Sequence, residues 1–309
     1  MENFSMGIDR KQLKRQAKER IVAADPKFWL VALAYLVMTT GVAWLISLVL
    51  DAVFLAGGGS VPGSDTVVLF FQLLLRLYTT VVQFGLCLWA LWTYRKMDPD
   101  ISSLMQGFSV AGRVLLMELG IFLRILGAYL LAALVLSLPF AMVLAYTSSP
   151  NAWTAAMLLY LALLLVVVIA ASLRYALAPY LLADRPDDGP ILPIRRSSVL
   201  MRGWKKELFK LELSFLGYEL IDLFLSGCVI FFFLRQAGLL VPSAALDPLW
   251  LDKCLTVIWS TPAVILSSLV TVPVRLWLIP YRSVARAGFY DARIVAMQDE
   301  EIPIMMPPV

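Results

Sequence analysis

Six long apolar stretches alternate with short polar loops along the chain. They run from about Phe28 to Leu50, Val67 to Trp92, Val114 to Tyr146, Trp153 to Tyr180, Leu211 to Leu234 and Leu255 to Leu278. Each is near or above the ~20 apolar residues that carry a helix across hydrocarbon. The stretches are rich in Leu and Ala and lack a period-2 alternation. Lipid forces every backbone group to be paired internally, so helices are expected rather than barrel strands. Before the first stretch, residues 8–22 read as a basic amphipathic helix with Leu13, Ala17 and Ile21 on one narrow face. Pro139 is expected to bend the third span. Gly57–Gly63 reads as a flexible turn, Thr147–Asn151 as a tight turn and Asp184–Lys210 as a charged loop. Ala237–Leu251 reads as an apolar connector on the surface. The acidic, Pro-rich end after Asp291 is expected to be disordered.

The basic residues sort by loop. Arg10, Lys11, Lys14, Arg15, Lys18, Arg20 and Lys27 precede the first span, and Arg95, Lys96 and Arg113 follow the second. Arg185, Arg195, Arg196, Arg202, Lys205, Lys206 and Lys210 follow the fourth, and Arg282, Arg286 and Arg293 follow the sixth. The alternate loops hold only Arg235 and Lys253. Cytoplasmic loops retain the excess of Lys and Arg, so both termini are expected in the cytoplasm. Trp29, Trp89, Trp92, Trp204 and Trp277 then fall near the inner interface, and Trp153 and Trp250 near the outer one.

Composition agrees with a membrane protein. Of 309 residues, 61% are hydrophobic and 16% charged, against about 25% charged in soluble domains; the mean hydropathy is +0.81. The sequence has no His, which removes His-based zinc sites, triads and pH switches. Cys87, Cys228 and Cys254 are isolated in apolar runs and read as small buried hydrophobes. The first apolar run is too long for a signal core and no cleavage site follows it, so no cleaved leader is expected. The final Met-Pro-Pro-Val is not a prenylation box.

Part of the chain repeats. Span four ends Leu173-Arg174-Tyr175-Ala176-Leu177-Ala178-Pro179-Tyr180, and span six ends Val274-Arg275-Leu276-Trp277-Leu278-Ile279-Pro280-Tyr281. Ser102-Ser103-Leu104-Met105-Gln106-Gly107-Phe108 before span three parallels Ser197-Ser198-Val199-Leu200-Met201-Arg202-Gly203-Trp204 before span five. The expected architecture is therefore an all-α polytopic membrane fold of six helices. Residues 1–27 form a basic cytoplasmic segment and 28–290 the transmembrane domain. That domain holds a leading hairpin, 28–93, and two related hairpin units, 96–185 and 194–291, of one orientation. Residues 292–309 form the tail.

Charges inside spans are the candidate functional residues. Arg76, Arg124, Glu219 and Asp222 lie well within apolar runs, where an unpaired charge costs at least about 2.5–3.5 kcal/mol. Mutual pairing is the cheapest remedy, so Arg76 and Arg124 are expected to approach Glu219 or Asp222. Glu212, Glu219 and Asp222 share roughly one 80° sector of a helix. Glu118, Arg174, Glu212 and Arg275 form a second tier nearer the cytoplasm, where Arg can snorkel. Two readings stand side by side: a polar pathway or anionic-substrate site, and static ion pairs that fix helix register. The basic segments 10–20 and 195–210 either set topology alone or also attract anionic inner-leaflet lipid.

Catalytic text is missing. There is no Gly-Lys-Ser/Thr phosphate loop, no Gly-x-Gly-x-x-Gly and no Cys-x-x-Cys. No Lys lies deep in a span to serve a Ser–Lys dyad, and Glu219 and Asp222 fall on one helix instead of two. An enzyme is not expected, and no metal or cofactor is implied. With a net charge of +4 and interspersed acids, neither is nucleic-acid binding.

The most distinctive text is Ser198-x-x-Met201-x-Gly203-x-Lys205, followed by Phe209-x-Leu211-x-Leu213-Ser214-Phe215-x-Gly217-Tyr218. Tyr175-x-x-Ala178-x-Tyr180-x-x-x-Asp184 precedes it, and Pro280-Tyr281 and Phe289-Tyr290 follow. Leu13-Lys14-x-x-Ala17-Lys18 stands at the start. Together they resemble the bacterial membrane family known as domain of unknown function 975, over nearly the whole chain. Tyr218 stands where that pattern more often has Trp. The resemblance implies a multi-pass bacterial plasma-membrane protein and implies no activity. Physically, Gly203 would permit a sharp turn into span five, and Ser214 and Gly217 would offer a small face for close helix approach. The expected function is a non-enzymatic binding or accessory protein with a lipid or membrane-protein partner. The alternative is a small-solute transporter using the mid-membrane Arg and acidic residues.

Overall fold

The computed structural model describes residues 10–56, 64–146, 149–241 and 249–301. All regular elements among them are helical. Among the described residues six helices are long and apolar enough to cross a membrane: Phe28–Val53, Thr66–Tyr94, Ser103–Tyr146, Asn151–Asp184, Leu216–Gln236 and Thr261–Met297. The chain is a multi-pass membrane protein of all-α class. The Gly57–Gly63 turn, most of the Ala237–Leu251 connector and the last residues of the tail lie outside the described residues.

The chain groups into two compact units. One comprises Asp9–Phe108 and Leu211–Gly288, the other Ser109–Lys210 and the chain from Phe289 on. This grouping does not follow the two similar segments, because residues 194–210 group with 109–185 while 211–288 group with the leading hairpin.

In the first unit, α1 (Arg10–Ala23) buries Leu13, Ala17 and Ile21 and packs on α4 (Ser64–Tyr94). Its narrow apolar face is used inside the protein. Span one is α2 (Phe28–Leu36), a π-helical turn (Val37–Gly41) and α3 (Val42–Ala56). The short α5 (Ser103–Gln106) crosses α4 at backbone contact. A Cβ on Gly85 would sit 2.1 Å from the Leu104 carbonyl oxygen, and one on Gly107 would sit 2.6 Å from that of Val81. Only glycine lets two backbones approach so closely.

In the second unit, α6 (Ala111–Tyr146) and α7 (Pro150–Tyr175) form a hairpin with Pro139 inside α6. Phe140 stacks on Tyr160 with ring centroids 5.0 Å apart. The short α8 (Ala178–Asp184) and α9 (Ile191–Leu200) pack together. Gly203, at φ +83°, turns the chain after α9; a Cβ is strained in that conformation. The outward faces of α6 and α7 leave residues such as Leu123, Leu134, Leu138, Leu158 and Val166 uncovered by protein. This is the pattern expected where lipid replaces water as the neighbour.

Three expected boundaries are corrected. Span five begins at Leu216, not Leu211: α10 (Lys205–Leu213) ends where Ser214 Oγ donates to the Leu211 carbonyl, 2.6 Å away, and α11 (Leu216–Gln236) restarts the helix. Span six begins at Thr261, because α12 (Trp250–Ile258) is a separate amphipathic helix that buries Cys254. The segment after Asp291 is helical as far as Glu301, as the end of α13 (Thr261–Glu301). Tyr290 just before it and Arg293 within it are buried and fixed by specific partners, so this stretch orders despite its charge.

The similar texts at 174–180 and 275–281 adopt different backbones. The first breaks after Tyr175 and places Pro179 in the first turn of α8, where its missing N–H costs nothing. The second runs unbroken through Pro273 and Pro280.

Candidate functional site

The acids expected on one face are held by α10 and α11, and three arginines answer them from α13. Arg275, Arg282 and Arg286 are spaced by seven and four residues, which places them within roughly 40° of one another around the helix. Asp222 receives two bonds from Arg275, at 3.0 Å from Nε and 3.1 Å from Nη2. Arg282 bridges two acids, donating from Nε to Glu212 at 2.7 Å and from Nη1 to Glu219 at 2.6 Å. Arg286 Nε donates to the other oxygen of Glu212. The six charges cancel in sum. Bidentate and bridging guanidinium geometry makes these charge-assisted bonds strong and directional.

Glu212 lies outside the spans. Burial pushes its carboxyl upward, but the hydrogen bonds and positive charge of Arg286 and Arg282 outweigh this and hold it below the usual Glu range. Its side chain is 15% exposed, whereas that of Glu219 is 44% exposed. Glu219 is the open end of the ladder.

A cavity of about 340 Å³ opens on that end, walled by Glu219, Asp222, Arg275 and Arg282 on one side and by Tyr35, Thr39 and Thr40 on the other. The π-helical turn places the threonines there. Thr39 Oγ1 turns back to donate to the Tyr35 carbonyl at 2.8 Å; π turns recur at functional sites because they re-aim side chains. A second cavity of about 250 Å³ shares Leu36, Thr40 and Arg275 as walls, and is otherwise apolar, with Trp44 and Leu269 among its lining. Trp44 Nε1 is buried and has no hydrogen-bond acceptor among the described residues.

The expected partners of the acids are corrected. Asp222 and Glu219 meet Arg275 and Arg282. Arg76 is exposed and makes no ion pair among the described residues. Arg124 belongs to the other unit, is exposed, and donates to the Gly120 carbonyl of its own helix at 2.9 Å. An exposed arginine on a span can reach the interface along its stem instead of needing a carboxylate. Of the second tier, Glu212 and Arg275 join the ladder. Glu118 lies half-buried on α6, and Arg174 is exposed with its guanidinium 5.9 Å from the Tyr175 ring centroid. In the sequence, Arg282 and Arg286 carry a topology signal. Their i, i+7, i+11 spacing with Arg275 is the signal that could have found them. Gly217 is not a close-approach residue, since a Cβ there would meet nothing within 4 Å. Gly85, Gly107 and Gly288 hold that role; a Cβ on Gly288 would lie 2.5 Å from the Tyr94 ring.

The sequence profile of a family described as "Protein of unknown function (DUF975)" matches residues 6–296. The chain belongs to this family. No curated protein and no solved structure matches it. The family-like residues gather into two clusters, one in each unit. In the first, Lys14 donates to the Ser214 carbonyl at 3.3 Å and lies 4.7 Å from the Phe215 ring centroid and 5.8 Å from that of Tyr281. Burial lowers the Lys14 pKa, while the aromatic faces favour its charged form. In the second, Tyr290 donates to Asp184 at 3.0 Å and stacks on Tyr180 with centroids 6.0 Å apart. Ser198 donates to the Arg195 carbonyl at 2.7 Å, Met201 is fully buried, Lys205 opens α10, and Phe209 stays exposed. Lys14, Phe215 and Tyr281 in the first cluster, and Tyr180, Asp184 and Tyr290 in the second, latch helices to one another. Among the described residues no group of three or more His, Cys, Asp or Glu side chains is placed to hold a metal.

Proposed function

We propose that the protein is a non-enzymatic binding protein of the bacterial plasma membrane, with both termini cytoplasmic, and that its paired cavities hold a small amphiphile. Trp44 carries this reading. A buried indole N–H without an acceptor costs about 1–3 kcal/mol, and Trp44 walls an apolar cavity that adjoins a polar one. A ligand with an acceptor atom in its apolar portion and a zwitterionic or hydroxylated head matches that lining: both signs of charge, two threonines, then an apolar chamber. The cancelled charges of the ladder favour binding over ion conduction, because no net charge is left to draw one ion.

Native mass spectrometry of the full chain, gently extracted from its own membrane, tests this. The expected result is a stoichiometric small adduct that is lost in Trp44→Phe. A bare protein, or an adduct indifferent to Trp44, refutes it.

A second reading, small-solute transport, is favoured by one observation: the Glu219 carboxylate is 44% exposed at the open cavity while still bound to Arg282. Solute uptake into liposomes that fails in Glu219→Gln at unchanged melting temperature would establish that reading instead.

A further inference from the structure

The second unit has a cavity of its own, formed where α8 and α9 meet the last turns of α13, with a volume of about 550 Å³. That size falls in the ~300–1,000 Å³ range of small-molecule sites. Arg185, Arg195 and Arg196 line it together with Tyr290 and Asp184. Of the negative groups nearby, Asp188 pairs with Arg196 and Asp184 accepts from the Tyr290 hydroxyl at 3.0 Å, while Asp187 is fully exposed, 3.6 Å from Arg113 and outside the lining. Arg185 and Arg195 are exposed and make no ion pair among the described residues. The cavity therefore presents two uncommitted guanidinium groups and a third held at its side. The rest of the wall is apolar, including Val199, Ile294 and Met297. On the same helix, Ile191 and Leu192 are uncovered.

We infer that this cavity binds a phosphate-bearing anion. Several planar guanidinium forks lining one cavity match the several oxygens of a phosphate better than the two of a carboxylate. The apolar wall and the uncovered face of α9 suit a phosphate that carries acyl chains, and free phosphate shares the same headgroup chemistry. This site lies in a different unit from the amphiphile cavities and stands whether or not those bind.

Calorimetric titration of the detergent-solubilised full chain tests it, with short-chain phosphatidylglycerol in one arm and inorganic phosphate in the other. Saturable binding in the lipid arm alone identifies phospholipid as the source; binding in both arms identifies the phosphate itself. In either case Arg185→Gln and Arg195→Gln should each weaken binding about five- to tenfold, from about 1 kcal/mol or slightly more per arginine. Both side chains are exposed and make no ion pair among the described residues, so the variants keep the wild-type melting temperature. Arg202→Gln, a neighbouring exposed arginine outside the lining, should bind as wild type. No saturable binding in either arm overturns the inference. So does an equal loss in Arg202→Gln, which would reduce the effect to general surface charge.

Discussion

Replacing Gly85 with Ala asks one methyl group to enter a space already held by backbone. Its Cβ would lie 2.1 Å from the Leu104 oxygen, 2.7 Å from the carbonyl carbon and 2.8 Å from Cα. All three are main-chain atoms, so no rotamer change relieves the overlap, and α5 must shift by about 1 Å to restore a normal contact of ~3–3.4 Å. Overpacking of this kind costs about 1–3 kcal/mol, and the rigid neighbour puts Gly85 at the upper end. The better helix propensity of Ala returns about 0.8–1.0 kcal/mol. The net expectation is a loss of about 2 kcal/mol, which for large domains corresponds to a fall of roughly 4–8 °C in Tm. Melting of the purified full chain in detergent, followed by circular dichroism, measures it. Gly127→Ala is the control, because a Cβ there meets nothing within 4 Å; it should melt at or above wild type. Gly107→Ala should also destabilise. Combined with Gly85→Ala it should cost less than the sum, since the two glycines line one crossing. If Gly85→Ala melts like Gly127→Ala, the backbone contact is refuted.

Asp222→Leu alone should destabilise the chain toward the ~3–5 kcal/mol seen when one partner of a buried pair is removed, lessened by the 33% exposure of Arg275. Asp222→Leu with Arg275→Met should recover most of the loss in the same melts. Glu212 has its folded pKa below its unfolded value, so its contribution is present above ~4.3 and is lost as pH falls through the lower folded value. Acid melts of Glu212→Gln should accordingly show a shallower fall below about pH 4 than wild type. Lys14→Ala removes the latch to Ser214, Phe215 and Tyr281, and hydrogen exchange should rise along Arg10–Ala23 while α11 stays protected.

The six spans were legible because hydropathy over twenty residues is a strong and local signal. The shared face of Glu219 and Asp222 was legible from helical period; Glu212 was placed with them by extending that helix across Ser214–Phe215, where the chain breaks between α10 and α11. The partners of these acids were not legible. Arg282 and Arg286 look like ordinary flanking charges, and only their helical spacing from Arg275 hints that they turn inward instead of merely setting topology. The breaks at Ser214–Phe215 and Trp259–Ser260 were hidden inside apolar text, where a turn and a continuous helix have similar hydropathy. The order beyond Asp291 was masked by composition; it depends on Tyr290 and Arg293 finding Asp184, Leu200 and Trp204, contacts made about 90 to 106 residues away in sequence. The π-helical turn leaves no sequence mark beyond Thr39, Thr40 and Gly41.

The charge ladder also bears on how the chain is made. Glu219 and Asp222 leave the ribosome before Arg275 and Arg282 exist. Until then α11 carries two unpaired acids in its first two turns, Glu219 in the first, each costing less than the about 2.5–3.5 kcal/mol of a charge at the bilayer centre. Span five is apolar enough to cross by composition, yet it is a weaker membrane segment alone than after span six arrives with its arginines. The two should leave the insertion machinery together, as one hairpin. A nascent chain halted before Thr261 should hold α11 beside the machinery instead of releasing it into lipid.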